Sequence, residues 1–177
     1  MRSLCYSVAM SLDGFIAGPK GEYDWIVDDS TLDMAALFSR FDTLLMGRRT
    51  FDLARSQGSL LESMRMRVVV VSSTLEPAQY KDVTILSSGV AQAVAALKAE
   101  PGKDIWLFGG GVLFRSLLDA GLVDEVQVAV IPVLLGSGVP LIPEGRRCSL
   151  HLDESKIYPS GIVLLSYSVA SESATPA

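Results

Sequence analysis

Apolar positions along this chain follow two rhythms that take turns. Leu4 to Met10 is a near-continuous apolar run, short enough for one buried strand. Met34, Leu37, Phe38 and Phe41 then fall at i, i+3, i+4 and i+7, one face of a helix within "TLDMAALFSRF". Ser30 is placed as its N-cap, with Asp33 three residues on as a weak capping-box partner. "DTLLMG" reads as a strand ending at Gly47. "RVVVVSS", 67–73, is a β-branched run of the kind buried on both faces of a parallel sheet. Helix follows over 90–100, strand over 104–108 and helix over 112–120, where Gly121 can close the end in a left-handed cap. "EVQVAVIPVL" is strand again. "SLHLDESKIY" and "IVLLSYSVA" flank the turn "PSG" and predict an antiparallel hairpin at 149–170. Several βα units closed by a hairpin give an α/β sandwich around a mixed sheet. Residues 1–170 read as one domain and "SESATPA", 171–177, as a disordered tail.

Composition narrows the classes. With 177 residues, 49% of them hydrophobic, the chain can bury one substantial core. Its longest apolar runs, such as Val68 to Val71 and Ile162 to Leu165, are far shorter than the roughly 18–20 residues of a membrane span. Asp13 interrupts the first apolar run and no small-residue cleavage site follows, so that run reads as a strand and not a secretory signal. The only cysteines, Cys5 and Cys148, are distant in sequence and fit reduced thiols in a cytoplasmic protein. With 15 Lys+Arg against 20 Asp+Glu and no basic stripe, neither nucleic acid nor a membrane is an expected partner. The single histidine, His151, lies in the hairpin and reads as a strand surface residue. Alone, it supports neither a multi-histidine metal site nor a histidine-dependent triad, and no metal is expected.

Three segments carry candidate chemistry. Gly109, Gly110 and Gly111 follow a buried strand and precede a helix, where backbone amides point outward and bare backbone can press against phosphate. A tight strand-to-helix turn with no ligand explains them equally well. The dinucleotide fingerprint fails, because Phe114 stands where its third glycine belongs, and the triphosphatase loop lacks Gly-Lys-Ser/Thr. "MGRRTF" repeats the layout: strand, Gly47, then Arg48 and Arg49 for charge-assisted bonds, with Thr50 able to cap a helix. "VVSST" ends a strand in Ser72, Ser73 and Thr74 without the carboxylate that would bond a ribose hydroxyl, which suits a 2′-phosphate. Each segment alone is ordinary turn chemistry; together, at several strand ends, they favour a ligand crevice.

"SLDGFIAG", "MGRRTF", "VVSST", "LFGGGVLFRSLLDAGLVDEV" and "IPVLLGSGVPLIP" resemble, in that order, the motifs of the dihydrofolate reductase superfamily. The likeness is greatest to the branch typified by the reductase domain of bifunctional riboflavin-biosynthesis enzymes. It implies a three-layer α/β/α fold, NADPH as cofactor, hydride transfer to a small pterin-, pyrimidine- or carbonyl/imine-like substrate, and a homodimer. It places pyrophosphate at Gly47, Arg48, Arg49 and Thr50 and at the glycine turn with Val112 and Leu113. It places the adenosine phosphate at Ser72, Ser73 and Thr74, and Ala9 and Ile16 against the nicotinamide. A strained peptide between adjacent glycines is also implied.

Two positions depart from the pattern. Ala129 stands where pterin reductases carry a threonine, and Gly109 where the riboflavin branch carries a glutamate. On the substrate side, Asp13, Trp25 and Asp33 are candidates, with Asp28 and Asp29 as further acids. Asp13 reads first as a turn-former and Asp33 as a cap, so no catalytic acid is assigned. Non-catalytic NADP(H) or nucleotide binding on the same fold is the alternative, and a binding module with a purely structural glycine turn is a third. The apolar stretch "VQVAVIPVLLGSGVPLIP" is expected to supply surface for a homodimer, with Pro132 breaking regular pairing.

Overall fold

The computed structural model describes residues 1–27, 29–58 and 60–170, so the expected tail at 171–177 and the candidate Asp28 lie outside the described residues. The elements run β1 (Leu4–Ser11), β2 (Phe15–Ala17), α1 (Met34–Arg40), β3 (Phe41–Gly47), α2 (Arg48–Ser56), α3 (Leu60–Met64), β4 (Arg67–Val71) and β5 (Val83–Leu86). They continue with α4 (Val90–Ala99), β6 (Asp104–Leu107), α5 (Gly111–Asp119), β7 (Glu125–Ile131), β8 (Val139–Pro140), β9 (Leu150–Ile157) and β10 (Val163–Val169). Eight strands form one sheet in the order β5-β4-β3-β6-β1-β7-β10-β9, and β2 pairs with β8 in a separate ribbon. From β5 to β7 every pairing is parallel; β10 runs antiparallel to both β7 and β9. The result is the mixed-sheet α/β sandwich with a closing hairpin that the sequence pattern predicts.

The continuous apolar strands follow from burial on both faces. Leu4, Tyr6, Leu45, Val69, Ile105 and Leu107 pack with Val94 and Leu97 of α4 and with Leu113, Phe114 and Leu117 of α5. Cys5, Leu44, Met46, Val68, Val70 and Trp106 point the other way and pack with Phe51 of α2 and with Leu37 and Phe38 of α1. Alternate residues of one strand therefore meet different helical layers, which leaves no polar side for an alternating pattern to mark. Cys5 lies wholly buried here, and desolvation followed by the nearby Glu125 carboxylate pushes its thiol far above the ordinary range, so it behaves as an inert core residue.

Several local expectations are corrected. Asp33, not Ser30, caps α1: its Oδ1 accepts the Ala36 N–H at 2.8 Å, so the helix starts at Met34. Thr50 is not a cap. Helix α2 already begins at Arg48, with Gly47 as an N-cap that has no side chain to offer. Strand β7 stops at Ile131 rather than at Leu134, since Pro132 has no N–H for the ladder. The apolar run of β7 is spent between β1 and β10, so it is interior; of the large hydrophobic side chains in the proposed interface stretch, Leu134 and Val139 are the exposed ones. The short elements β2, β5, β8 and α3 escaped the pattern because two to five residues are too few to display a period.

Arg40 ties the far end of the sheet together. Its Nε donates to Asp104 Oδ2 at 2.9 Å and its Nη1 to Glu125 Oε1 at 2.8 Å, with a second bond from Nη2 to Glu125. Asp104 opens β6 and Glu125 opens β7, so one guanidinium at the end of α1 bridges the two strands that flank β1. The group is partly solvated, which screens the pair. Arg40→Ala is accordingly expected to cost about 1–2 kcal/mol in urea unfolding, with cofactor affinity unchanged.

Candidate cofactor site

All six parallel strands end at the same edge of the sheet, and three adjacent ones, β4, β3 and β6, carry the three candidate segments there. Crevices of open α/β sheets form outside such carboxyl ends. Gly47 ends β3 and leads straight into α2; Gly109 and Gly110 leave β6 and lead into α5. Two helix N-termini thus stand side by side. The first amides of each have no carbonyl partner in their own helix, and the first such bond in α5 is from the Phe114 N–H to the Gly110 carbonyl at 3.0 Å.

The glycines have separate physical roles. Gly109 and Gly110 take φ of +134° and +94°, backbone that side-chained residues rarely adopt. No cis peptide bond occurs among the described residues, and the positive φ values are ones that glycine adopts without strain. A Cβ on either would face only the Thr50 side chain, at 3.6 Å or more, which leaves open space over the turn. Gly111 is different: a Cβ there would stand 2.9 Å from the Leu141 carbonyl oxygen and 3.0 Å from that of Pro140, so its need is close packing. Val112 is exposed, whereas Leu113 is a core residue that can offer a ligand only its backbone amide.

At the end of β4 the three hydroxyls divide. Ser72 is buried, and its Oγ accepts the N–H groups of Thr74 at 3.2 Å and Leu75 at 3.1 Å, so it builds the turn. Ser73 and Thr74 face solvent. Arg48 donates to Thr74 Oγ1 and pairs with Asp52 at 3.2 Å, linking the end of β3 to the end of β4. Arg49 is exposed and has no partner among the described residues. Ser87 and Ser88 follow β5 beside this group and repeat the hydroxyl pair after β4; the four-residue strand before them is too short for an apolar pattern to mark the place.

The other side of the crevice gathers the remaining candidates. Ala9 sits opposite Ala129 in the β1–β7 ladder and shares a cluster with Trp25, Leu32, Ile131, Tyr158 and Ile162. Trp25 donates its indole N–H to the Glu22 carbonyl at 3.0 Å. Ile16 lies in β2, whose ribbon with β8 joins the loop after β1 to the segment after β7. Asp13 strengthens that junction: its Oδ1 accepts from the Ser11 hydroxyl at 2.6 Å and the Leu135 N–H at 3.1 Å, and its Oδ2 from the Gly136 N–H at 2.7 Å. The turn-former reading is corrected: apart from the Ser11 hydroxyl, the groups that Asp13 accepts from are amides more than a hundred residues away, which no local signal announces.

The carboxylates here are structural. The Ser11 hydroxyl first, and with it the Gly136 and Leu135 amides, hold the Asp13 carboxyl below the usual carboxylate range against an opposing desolvation. Asp29 is held lower still, first by Ser160 and then by Thr31, and so pins the β9–β10 turn to the loop before α1. Asp33 caps α1. A carboxyl whose folded-state value is depressed contributes stability that is present above the unfolded value of about 4 and is lost as pH falls through the folded one. Protection of the Leu135 and Gly136 amides from hydrogen exchange is therefore expected to hold from neutral pH down past about 4 in the wild type and to vanish throughout in Asp13→Ala, as followed by NMR.

The sequence from residue 2 to 164 matches the model of the RibD C-terminal domain. The chain belongs to that family. Uncharacterized protein YyaP of Bacillus subtilis is 32% identical to this RibD-type domain, with 94% of each chain covered. RibD, the riboflavin biosynthesis protein of Corynebacterium ammoniagenes, is 26% identical over 76% of this chain, which spans only 44% of that protein. A putative riboflavin biosynthesis protein from Shewanella sp. PV-4 superposes with a TM-score of 0.80 at 28% identity, covering 97% of this chain and 100% of that one. The deaminase/reductase of Thermotoga maritima shares the fold, with a TM-score of 0.74 at 16% identity over 96% of this chain and 57% of that one. Among the described residues of this RibD-family chain no metal-binding group of His, Cys, Asp and Glu occurs, and no helix is long and apolar enough to cross a membrane. His151 is exposed on β9, with Nδ1 3.1 Å from Asp153, as a strand surface residue should be.

Proposed function

We propose that this RibD-family domain is an NADPH-dependent reductase that delivers hydride to a small ring, carbonyl or imine substrate. The observation that carries the reading is the convergence of three phosphate-compatible segments on adjacent strand ends, β4, β3 and β6, beside the cluster that holds Ala9. The residues fit the cofactor. Bare backbone over Gly109 and Gly110, the free first-turn amides of α2 and α5, and Arg49 suit a pyrophosphate; Ser73, Thr74 and Arg48, with no carboxylate among residues 72–75, suit a 2′-phosphate. The reduced nicotinamide supplies the hydride when bound. The chain's part is to orient and to exclude water: Ala9 and Ile16 line the nicotinamide side, Trp25 and Leu32 wall the substrate side, and Asp13 fixes the loop between. With Asp13, Asp29 and Asp33 committed to backbone groups, none is assigned as proton donor.

The test is paired. NADPH is expected to bind at least about tenfold more tightly than NADH, by fluorescence of the bound cofactor, and comparable constants would remove the cofactor assignment. Oxidation of NADPH across a panel of carbonyls, dihydropterins and flavins separates a reductase from a protein that only binds the nucleotide. The domain is also proposed to work as a cytoplasmic homodimer. The exposed apolar residues Leu134 and Val139, joined by Leu150, Leu152 and Ile157 on the edge strand β9, support that arrangement. Light scattering at micromolar concentration should give about twice the 19.0 kDa chain mass; a constant monomer mass would defeat it.

A further inference from the structure

The wall on the substrate side has a chemical character of its own. Beyond Trp25 and Leu32, which pack with Ala9 against the cluster of Ile131, Tyr158 and Ile162, the loop before α1 and the first residue of that helix enclose an open depression lined by Tyr23, Ile26, Val27, Leu32 and Met34. Tyr23, Ile26, Val27 and Met34 are each 40% to 45% exposed, far more apolar surface than a solvent loop of this length needs. Among the described residues, the charged groups lining it are Asp24 and Asp29. Cations on neighbouring elements are turned to other tasks. Lys20 accompanies Glu22, Lys156 lies over the Tyr158 ring at 4.7 Å, and Arg40 is bonded to Asp104 and Glu125. None of the three lines the depression. Asp24 has no hydrogen-bond or ion-pair partner among the described residues, so its charge is available to whatever enters.

We propose that this depression is the outer half of the substrate site and that it takes a flat, largely apolar ring that is neutral or cationic, and rejects substrates carrying a phosphate. The inference rests on the reductase reading for its location beside the nicotinamide side of the crevice. Two arguments fix the class. Aromatic and aliphatic side chains held at a loop surface favour a planar apolar partner. A phosphate dianion brought against two carboxylates with no cation among the lining residues is repelled and stripped of water without compensation. The site therefore differs from one built to hold a phosphorylated pyrimidine.

Matched pairs that differ only by the phosphate test it: riboflavin against FMN, and 1-naphthol against 1-naphthyl phosphate. Binding is measured by equilibrium dialysis to the full chain saturated with NADP⁺, so that no turnover occurs. The unphosphorylated member of at least one pair is expected to bind tenfold or more tightly than its phosphate. Asp24→Lys should bring that ratio towards one while NADP⁺ affinity stays the same, and Trp25→Ala should weaken both members. Equal or tighter binding of the phosphates would overturn the proposal, as would a ratio unmoved by Asp24→Lys, or no binding of any of the four. Failure of NADP⁺ itself to bind would instead strike the reductase reading, so the two failures are distinguishable.

Discussion

Gly110→Val is expected to weaken NADPH binding by about a hundredfold or more while the protein still folds. The residue takes φ +94° and ψ 93°, where a β-branched side chain is strained whatever space surrounds it. That strain costs about 1–3 kcal/mol of stability, which a melting curve will register as a lowered midpoint. Space is not the obstacle, since a Cβ here meets nothing closer than Thr50 Oγ1 at 3.6 Å. The obstacle is that the added methyls would stand over the α5 N-terminus, between its free amides and any phosphate they receive. Gly110→Ala, with one methyl, should lose less affinity at a similar backbone cost, so affinity and stability part company across the pair. A folded Val variant with wild-type affinity would make the turn purely structural. Gly111→Ala is the contrast: its Cβ would press on the Leu141 and Pro140 carbonyls, and the loss should fall first on stability.

The second large effect is expected from Ser73→Asp. Ser73 is exposed at the end of β4, beside the Arg48–Thr74 contact, and it carries none of the turn-building bonds that Ser72 makes. A carboxylate there repels a 2′-phosphate and offers an acceptor to a ribose hydroxyl. NADPH should weaken by roughly tenfold or more, with the deficit shrinking as salt is raised, while NADH holds or improves. Ser72→Ala is the control: it removes two bonds that close the turn, so it should weaken both cofactors alike. Equal losses for NADPH and NADH in Ser73→Asp would move the adenosine phosphate elsewhere.

How far the chain could be read without coordinates depended on the range of the interaction concerned. Strands β1, β3, β4 and β6 are legible as apolar runs because burial between two helical layers favours apolar residues on both faces, and that demand is local in sequence. Helices α4 and α5 showed for a similar reason, since each buries one stripe. The five motifs in order sufficed for the family, and the glycines for the place where backbone must lie bare. Tertiary structure decided the rest. Strand order is set by pairing between residues far apart, so that β4, β3 and β6 become neighbours only in the folded sheet. The division of labour at 72–74, with Ser72 inside and Ser73 outside, hangs on one backbone turn. The partner of Asp13 at Leu135 and Gly136, and the staple from Asp29 to Ser160, join loops more than a hundred residues apart. β7 looked like spare apolar surface until β10 was seen to pair with it. By itself the sequence determined which residues must be buried and where the backbone must be bare; which of them meet was decided only by the tertiary structure, because hydrogen bonds and packing across the sheet connect segments that no local pattern relates.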